Sequence, residues 1–375
     1  MNNIKNYVLN NYELIIKTLK ELCDIPAPSH FEQNRAEYCK KWLENIGAKN
    51  VYIDDALNVV YPLNCKGSND ITIFVAHTDT VFPDTEPMPC YDDGDKIHCP
   101  GVADDTASVT VLLLMAKYFI ENNINPNGGI IFCCNSCEEG LGNLKGTRQI
   151  FKDFEGRIKQ FISYDAHIGT INDTCVGSHR YEVTVKTEGG HSYGAFGNKN
   201  AIAELSKIVT EMFKIEVPKI DNSKTTYNVG TISGGTSVNT IAQEASMLCE
   251  YRSDNVECLA IMKEKFEKIF ETARTPKTEV IVNMVGERPC ADGVDETKIR
   301  ELCEIFAKDI KEVTGADALY KSSSTDCNIP LSLGVPAICT GVYSGGGTHT
   351  REEWIEKESL IPGLELGIKH ILSII

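Results

Sequence analysis

Acidic residues and histidines in this chain recur at one kind of place, just past short apolar runs that read as buried strands. Ile71–Ala76 runs into His77-Thr78-Asp79, Gly129–Asn135 into Glu138-Glu139, and Phe161–Tyr164 into Asp165. Ala337–Val342 runs into the glycine loop Gly345-Gly346-Gly347-Thr348-His349, and Asp104 stands where a long apolar helix begins. Imidazole nitrogens and carboxylate oxygens are donors that zinc and its neighbours accept. Singly, each motif is weak. His-x-Asp is ordinary in loops, Glu-Glu in exposed turns, and Asp at a helix start is usually a cap. Yet Asp104-Asp105 holds one Asp more than capping requires, and a carboxylate can bridge two metals about 3.5–4 Å apart. Adjacent glutamates at a half-buried strand end repel unless cations or a shared proton offset them. Open α/β sheets gather ligands outside the carboxyl ends of their strands. The expectation is therefore a two-metal hydrolytic site assembled from distant segments.

The elements that must position these residues follow from periodicity. Tyr12–Leu22 and Phe31–Ile46 have helical spacing, separated by the proline loop Asp24–Ser29. Val51–Ile53 and Val59–Leu63 read as short strands, Ala107–Glu121 as an apolar helix, and Gly142–Phe151 as another helix. Alternating strands and helices predict a three-layer α/β domain. The rhythm then changes to strand Arg180–Thr187, helix Asn198–Ile215, strands Thr225–Ser233 and Ala245–Ser253, helix Val256–Ala273 and strand Glu279–Val285. This is the order of the ferredoxin-like split unit. Helix Glu296–Thr314, strand Ala337–Val342 and helix Glu358–Ile374 resume the first domain. The expected boundaries are 1–178 with 288–375 for the metal-binding domain and 179–287 for an inserted α+β domain.

A chain of 375 residues exceeds what one core usually serves, in keeping with two domains. Its net charge of −16 argues against nucleic-acid and anionic-membrane partners, which call for clustered Lys and Arg. The most apolar stretch, around Val109–Ile120, is shorter than a membrane span. Met1–Leu22 reads as a helix rather than a signal peptide, and fifteen scattered cysteines fit free thiols in a reducing cytoplasm. Cys134-x-x-Cys137 closes a buried strand without a second knuckle and reads as structural. The glycine loop lacks the Lys-Ser/Thr of a phosphate-binding P-loop.

Taken together, the chain resembles the co-catalytic di-zinc peptidases and deacylases that include peptidase T, glutamate carboxypeptidase, aminoacylase-1 and succinyl-diaminopimelate desuccinylase. The matching segments are Val75–Asp79, Gly101–Asp105, Glu138-Glu139-Gly140, Asp165, Gly190-His191-Ser192, Gly234–Asn239, and Gly347–Thr350 with Glu353. The resemblance spans essentially the whole chain and is nearest the peptidase T-like branch, through Ser324–Pro330 and the His349 loop. It implies that His77 and Asp165 hold one zinc, that Glu139 and His349 hold the other, and that Asp104 bridges them. Manganese or cobalt are possible substitutes. It further implies Asp79 as a support for His77, Glu138 as general base, and His191 on the inserted domain as an oxyanion donor in the partner subunit's site. Asn239 and Arg252 would grip the substrate carboxylate. The inserted domain would then serve as lid and dimerisation unit. Asp105-Thr106-Ala107 and His98-Cys99 depart from the family pattern at the pocket wall, which bears on substrate choice, as does the extra His167.

The reaction so implied is cleavage of an amide bond in a small peptide by di- or tripeptidase action. The alternative is deacylation or desuccinylation of an N-acyl amino acid. A binding protein with a dead site is disfavoured, since neither a ligand nor the base is missing.

Overall fold

The computed structural model describes residues 2–375, which form two compact units: the chain up to Cys175 together with Asp292–Ile375, and Val176–Ala291. In the first unit, four strands run parallel side by side in the order Gly129–Asn135, Ile71–His77, Ile158–Tyr164, Ala337–Thr340. Every residue of Ile71–His77 and Gly129–Asn135 is buried, as continuous apolar runs covered on both faces must be. Tyr52–Ile53 and Val59–Leu63 extend the sheet antiparallel on one side, and Thr170–Cys175 and Leu319–Ser323 extend it on the other. Helix Ala107–Glu121 packs on the central strand and against helices Tyr12–Cys23, Gln33–Asn45 and Leu360–Ile374. Phe74, Phe132, Ile162 and Ile338 enter that core, while Ile73, Val75, Ile131 and Phe161 are buried without belonging to it. Period-2 alternation thus supplies both sides of a three-layer arrangement.

Some elements differ from expectation. The N-terminal segment forms two helices, Asn2–Asn10 and Tyr12–Cys23, with the chain breaking at Asn11. A small antiparallel sheet, Gly345–Gly346, Trp354–Glu356, Lys96–His98 and Tyr91–Asp92, was not legible because its strands are two or three residues long. It ties the His349 loop to the segment that leads into Asp104.

The second unit is an antiparallel sheet in the order Thr225–Gly234, Glu244–Ser253, Gly177–Thr187, Thr278–Arg288. Helices Ala201–Met212 and Val256–Ala273 pack on it through Leu205, Ile208, Leu259, Met262 and Phe266. This is the ferredoxin-like arrangement. Asn200 and Asn255 cap the two helices by accepting backbone N–H groups.

Candidate active site

The carboxyl ends of the four parallel strands face one way, and each delivers part of one constellation. His77 is the last residue of its strand, 1% exposed. Its Nε2 lies 3.0 Å from Asp104 Oδ1, and its Nδ1 lies 3.0 Å from the Asp79 carbonyl oxygen. Asp104 turns its other oxygen to His349 Nε2 at 3.0 Å, and the same nitrogen is 3.2 Å from Glu139 Oε1. One carboxylate stands between two imidazoles. Donor atoms of His77, Asp104 and Glu139 lie within 4.8 Å of one another, as do those of His77, Glu138 and Asp165.

Local backbone makes this possible. Gly101 sits at φ +77°, and a Cβ there would come within 2.5 Å of Thr80 Cγ2, so only glycine lets the chain turn into Asp104. The Asp104–Asp105 peptide bond is cis. Gly347, at φ +73°, opens the turn that presents His349, whose own φ is +65°.

The electrostatics are those of crowded negative charge. Burial disfavours an imidazolium at His77, but hydrogen bonds to Asp104 and Asp79 prevail and raise its pKa well above the usual range. His349 is pushed up to about 10 by its contacts with Asp104 and Glu139. Asp104 is held low: hydrogen bonds from His349 and His77 overcome the effect of burial. Burial and the charge of Asp104 push Glu139 up to about 7 and Asp165 well above the carboxylate range. Four carboxylates crowd two imidazoles, and the raised pKa values of Glu139 and Asp165 show that these carboxylates cannot all stay ionised without further cations. Hard oxygen donors mixed with imidazole, converging on two overlapping groups, fit a pair of divalent cations.

A second layer fixes these side chains. Asp79 Oδ2 accepts from Ser29 Oγ at 2.6 Å and from the Glu139 amide at 3.0 Å, and Oδ1 accepts from the Glu138 amide at 2.9 Å. Glu353 accepts the amides of Gly101, Ala103 and Asp104. Arg35, buried, donates to the carbonyls of Leu22, Ile25 and Thr78 and to Thr106 Oγ1. Asp326 accepts from Asn135 Nδ2 at 2.6 Å and from Thr147 Oγ1, and burial together with the charge of Glu138 pushes it up to about 7. Sequence reasoning assigned no role to Ser29 or Arg35, and Asp326 entered only within the matching segment Ser324–Pro330. Glu353 entered only as part of a matching segment. His167 stacks at a tilt on Tyr343, and burial lowers its pKa.

The remaining expected residues lie in the second unit. Gly190–His191 pairs antiparallel with Thr240–Ile241, and the Ser192 amide donates to the Asn239 carbonyl, so His191 and Asn239 are neighbours. Arg252 lies on strand Glu244–Ser253, where Glu250 accepts from its Nε and Nη2 at 2.7 and 3.1 Å.

The sequence profile of the peptidase family M20/M25/M40 matches residues 73–372. The chain belongs to that family. Among relatives, a putative succinyl-diaminopimelate desuccinylase DapE of Mycobacterium tuberculosis is 23% identical over 361 residues, covering 94% of this chain and 96% of its own. Aminopeptidase PepT of Bacillus cereus is similar in structure, with a TM-score of 0.72 at 23% identity over 97% of this chain and 98% of its own. A tripeptidase of Staphylococcus aureus gives 0.75 at 22% identity over 96% and 98%. The M20 chain described here is accordingly a metal-dependent hydrolase of peptide or N-acyl amide bonds, with a catalytic α/β domain and a smaller inserted one. No helix among its described residues is long and apolar enough to cross a membrane.

Proposed function

We propose that this M20 protein is an exopeptidase acting on di- or tripeptides with two zinc ions at the strand ends. His77 and Asp165 would hold one ion and Glu139 and His349 the other, with Asp104 available to both; manganese or cobalt would be acceptable to the same hard donors. Bound there, the ions supply Lewis acidity toward a carbonyl oxygen and bring the pKa of water toward about 7. Glu138 takes a proton from the attacking water and returns it to the leaving amine, a role that commonly contributes about 10²–10⁴-fold. Asp79, fixed by Ser29 and two backbone amides, keeps His77 in one orientation. His191 donates to the oxygen on which charge develops. Arg252 exchanges Glu250 for the substrate carboxylate, a bidentate partner of the same shape, with Asn239 assisting.

The domain 179–287 acts in this reading as lid and dimerisation unit of a cytoplasmic homodimer, each chain lending His191 to its partner's site. The observation that carries the proposal is Asp104 between His77 and His349 with Glu138 and Asp165 closing on His77. A second reading, N-acyl-amino-acid deacylation, is supported by the near full-length likeness to a desuccinylase. A panel of dipeptides, tripeptides and N-acyl amino acids, including N-succinyl compounds, decides between them, with E138Q protein as the blank. Faster turnover of acylated substrates selects the second reading. No turnover of any amide by metal-loaded protein sinks both.

A further inference from the structure

Cys23, Cys90 and Cys99 bring three sulfurs together away from the strand-end site. Cys23 closes helix Tyr12–Cys23, Cys90 immediately precedes strand Tyr91–Asp92, and Cys99 immediately follows strand Lys96–His98. Their sulfurs lie within 4.8 Å of one another, and among the described residues this is the one group of three sulfurs so close. Cys23 and Cys99 are buried, whereas Cys90 is partly open to solvent. We infer that Cys23, Cys90 and Cys99 form a binding site for one soft, closed-shell cation of the zinc and cadmium class, separate from the strand-end metals.

The spacing suits it. Thiolates about 2.3 Å from a common ion stand roughly 4 Å from each other, so the three sulfurs need only small shifts to close on one. Hydrogen bonds from the Cys23 and Cys99 thiols push the Cys90 thiol down, with the Lys20 ammonium adding to the effect, while bonding to Cys90 and burial push Cys23 and Cys99 up. All three thiols give up their protons on binding, as metal binding to thiols requires. Water on the open Cys90 side completes four-coordination. Buried cysteines elsewhere do not offer this: Cys39 and Cys134 meet as a pair without a third sulfur.

Such an ion would act as a clip. It joins helix Tyr12–Cys23 to the hairpin Tyr91–His98 and to Cys99, whose amide donates to the Glu353 carbonyl at 3.1 Å. Two residues on, Gly101 donates its amide to the Glu353 carboxylate. The site therefore braces the segment that carries Asp104 without touching it.

The strand-end site contains no sulfur, so a thiolate-to-metal charge-transfer band does not arise there, and its loss on substituting Cys90 assigns it to this cluster. Reduced, full-length holoenzyme titrated with Cd²⁺ is expected to develop that ultraviolet band, as a difference spectrum against the metal-free cluster, saturating at about one equivalent. Cys90→Ala should abolish it and Cys303→Ala should leave it intact. In the unaltered protein, Cd²⁺ should also slow alkylation of Cys23, Cys90 and Cys99 by about tenfold or more, read by mass spectrometry of the modified peptides. That second measurement needs no variant to fold. The inference is overturned by absence of the band, by its survival in Cys90→Ala, or by protection that falls on other cysteines. A disulfide between any two of the three in freshly purified protein overturns it equally.

Discussion

Glu353 accepts the Asp104 amide at 2.8 Å across 249 residues of sequence, and the same carboxylate accepts the amides of Ala103 and Gly101. The backbone that carries the residue between the two imidazoles is thus anchored by a side chain from the far end of the chain. In Glu353→Gln the side chain keeps one acceptor, but its amide then meets an N–H donor. A buried donor left without an acceptor costs about 1–3 kcal/mol. Urea unfolding of chelator-treated protein should register that loss, with metal affinity falling alongside. An unchanged unfolding midpoint would show that the anchor is passive.

Glu138 and Glu139 are adjacent yet stand in different groups, Glu138 with His77 and Asp165, Glu139 with His77 and Asp104. Glu138→Gln should retain near-normal metal content while turnover falls by about 10²–10⁴-fold. Glu139→Gln should lose metal. Atomic absorption on both variants beside their rates tests the division, and exchanged or identical phenotypes count against it.

Chelation should abolish turnover and lower Tm, with zinc restoring both. An ion bound only by the folded chain stabilises it by mass action, about 4 kcal/mol at a thousandfold excess over Kd. Active protein holding less than one metal per chain would contradict the two-metal site.

His370 gives a pH signature unrelated to catalysis. Its ring is fully buried, stacked 3.9 Å from Phe306, and burial pushes its pKa down to about 3. An unfolded-state imidazole titrates near about 6.5. Between those values the unfolded chain binds a proton that the folded chain does not. Its contribution is therefore complete above about pH 6.5 and is lost as pH falls, by at most about 1.4 kcal/mol per unit. His370→Phe should flatten the stability profile between about pH 7 and pH 5 in urea titrations. Parallel profiles for the two proteins would refute this assignment.

Mixing His191→Ala with Glu138→Gln protein tests the shared site. A mixed two-fold dimer has one site with both groups intact, so partial activity should return after subunit exchange. Proven exchange without rescue, or a fully active monomer, would exclude catalysis shared between chains.

Much of the architecture was legible in local pattern. Glu296–Thr314 is helical over its predicted span, and the runs ending at Asn135 and Tyr164 are buried strands, because periodicity and apolar content act within a few residues. Strand ends marked His77, Glu138, Glu139, Asp165 and His349, and a helix start marked Asp104, as residues that one sheet edge could bring together, and the structure does place them side by side. What the chain alone left open were choices of partner. Ser29 orients Asp79, Asn135 holds Asp326, and Glu353 grips the Asp104 backbone across 50, 191 and 249 residues of sequence. Nothing near those residues encodes such contacts. The strands Tyr91–Asp92, Lys96–His98 and Trp354–Glu356 are likewise too short for any period to show. They exist because pairing satisfies backbone groups that the folded core has already brought together, a condition only tertiary structure can set.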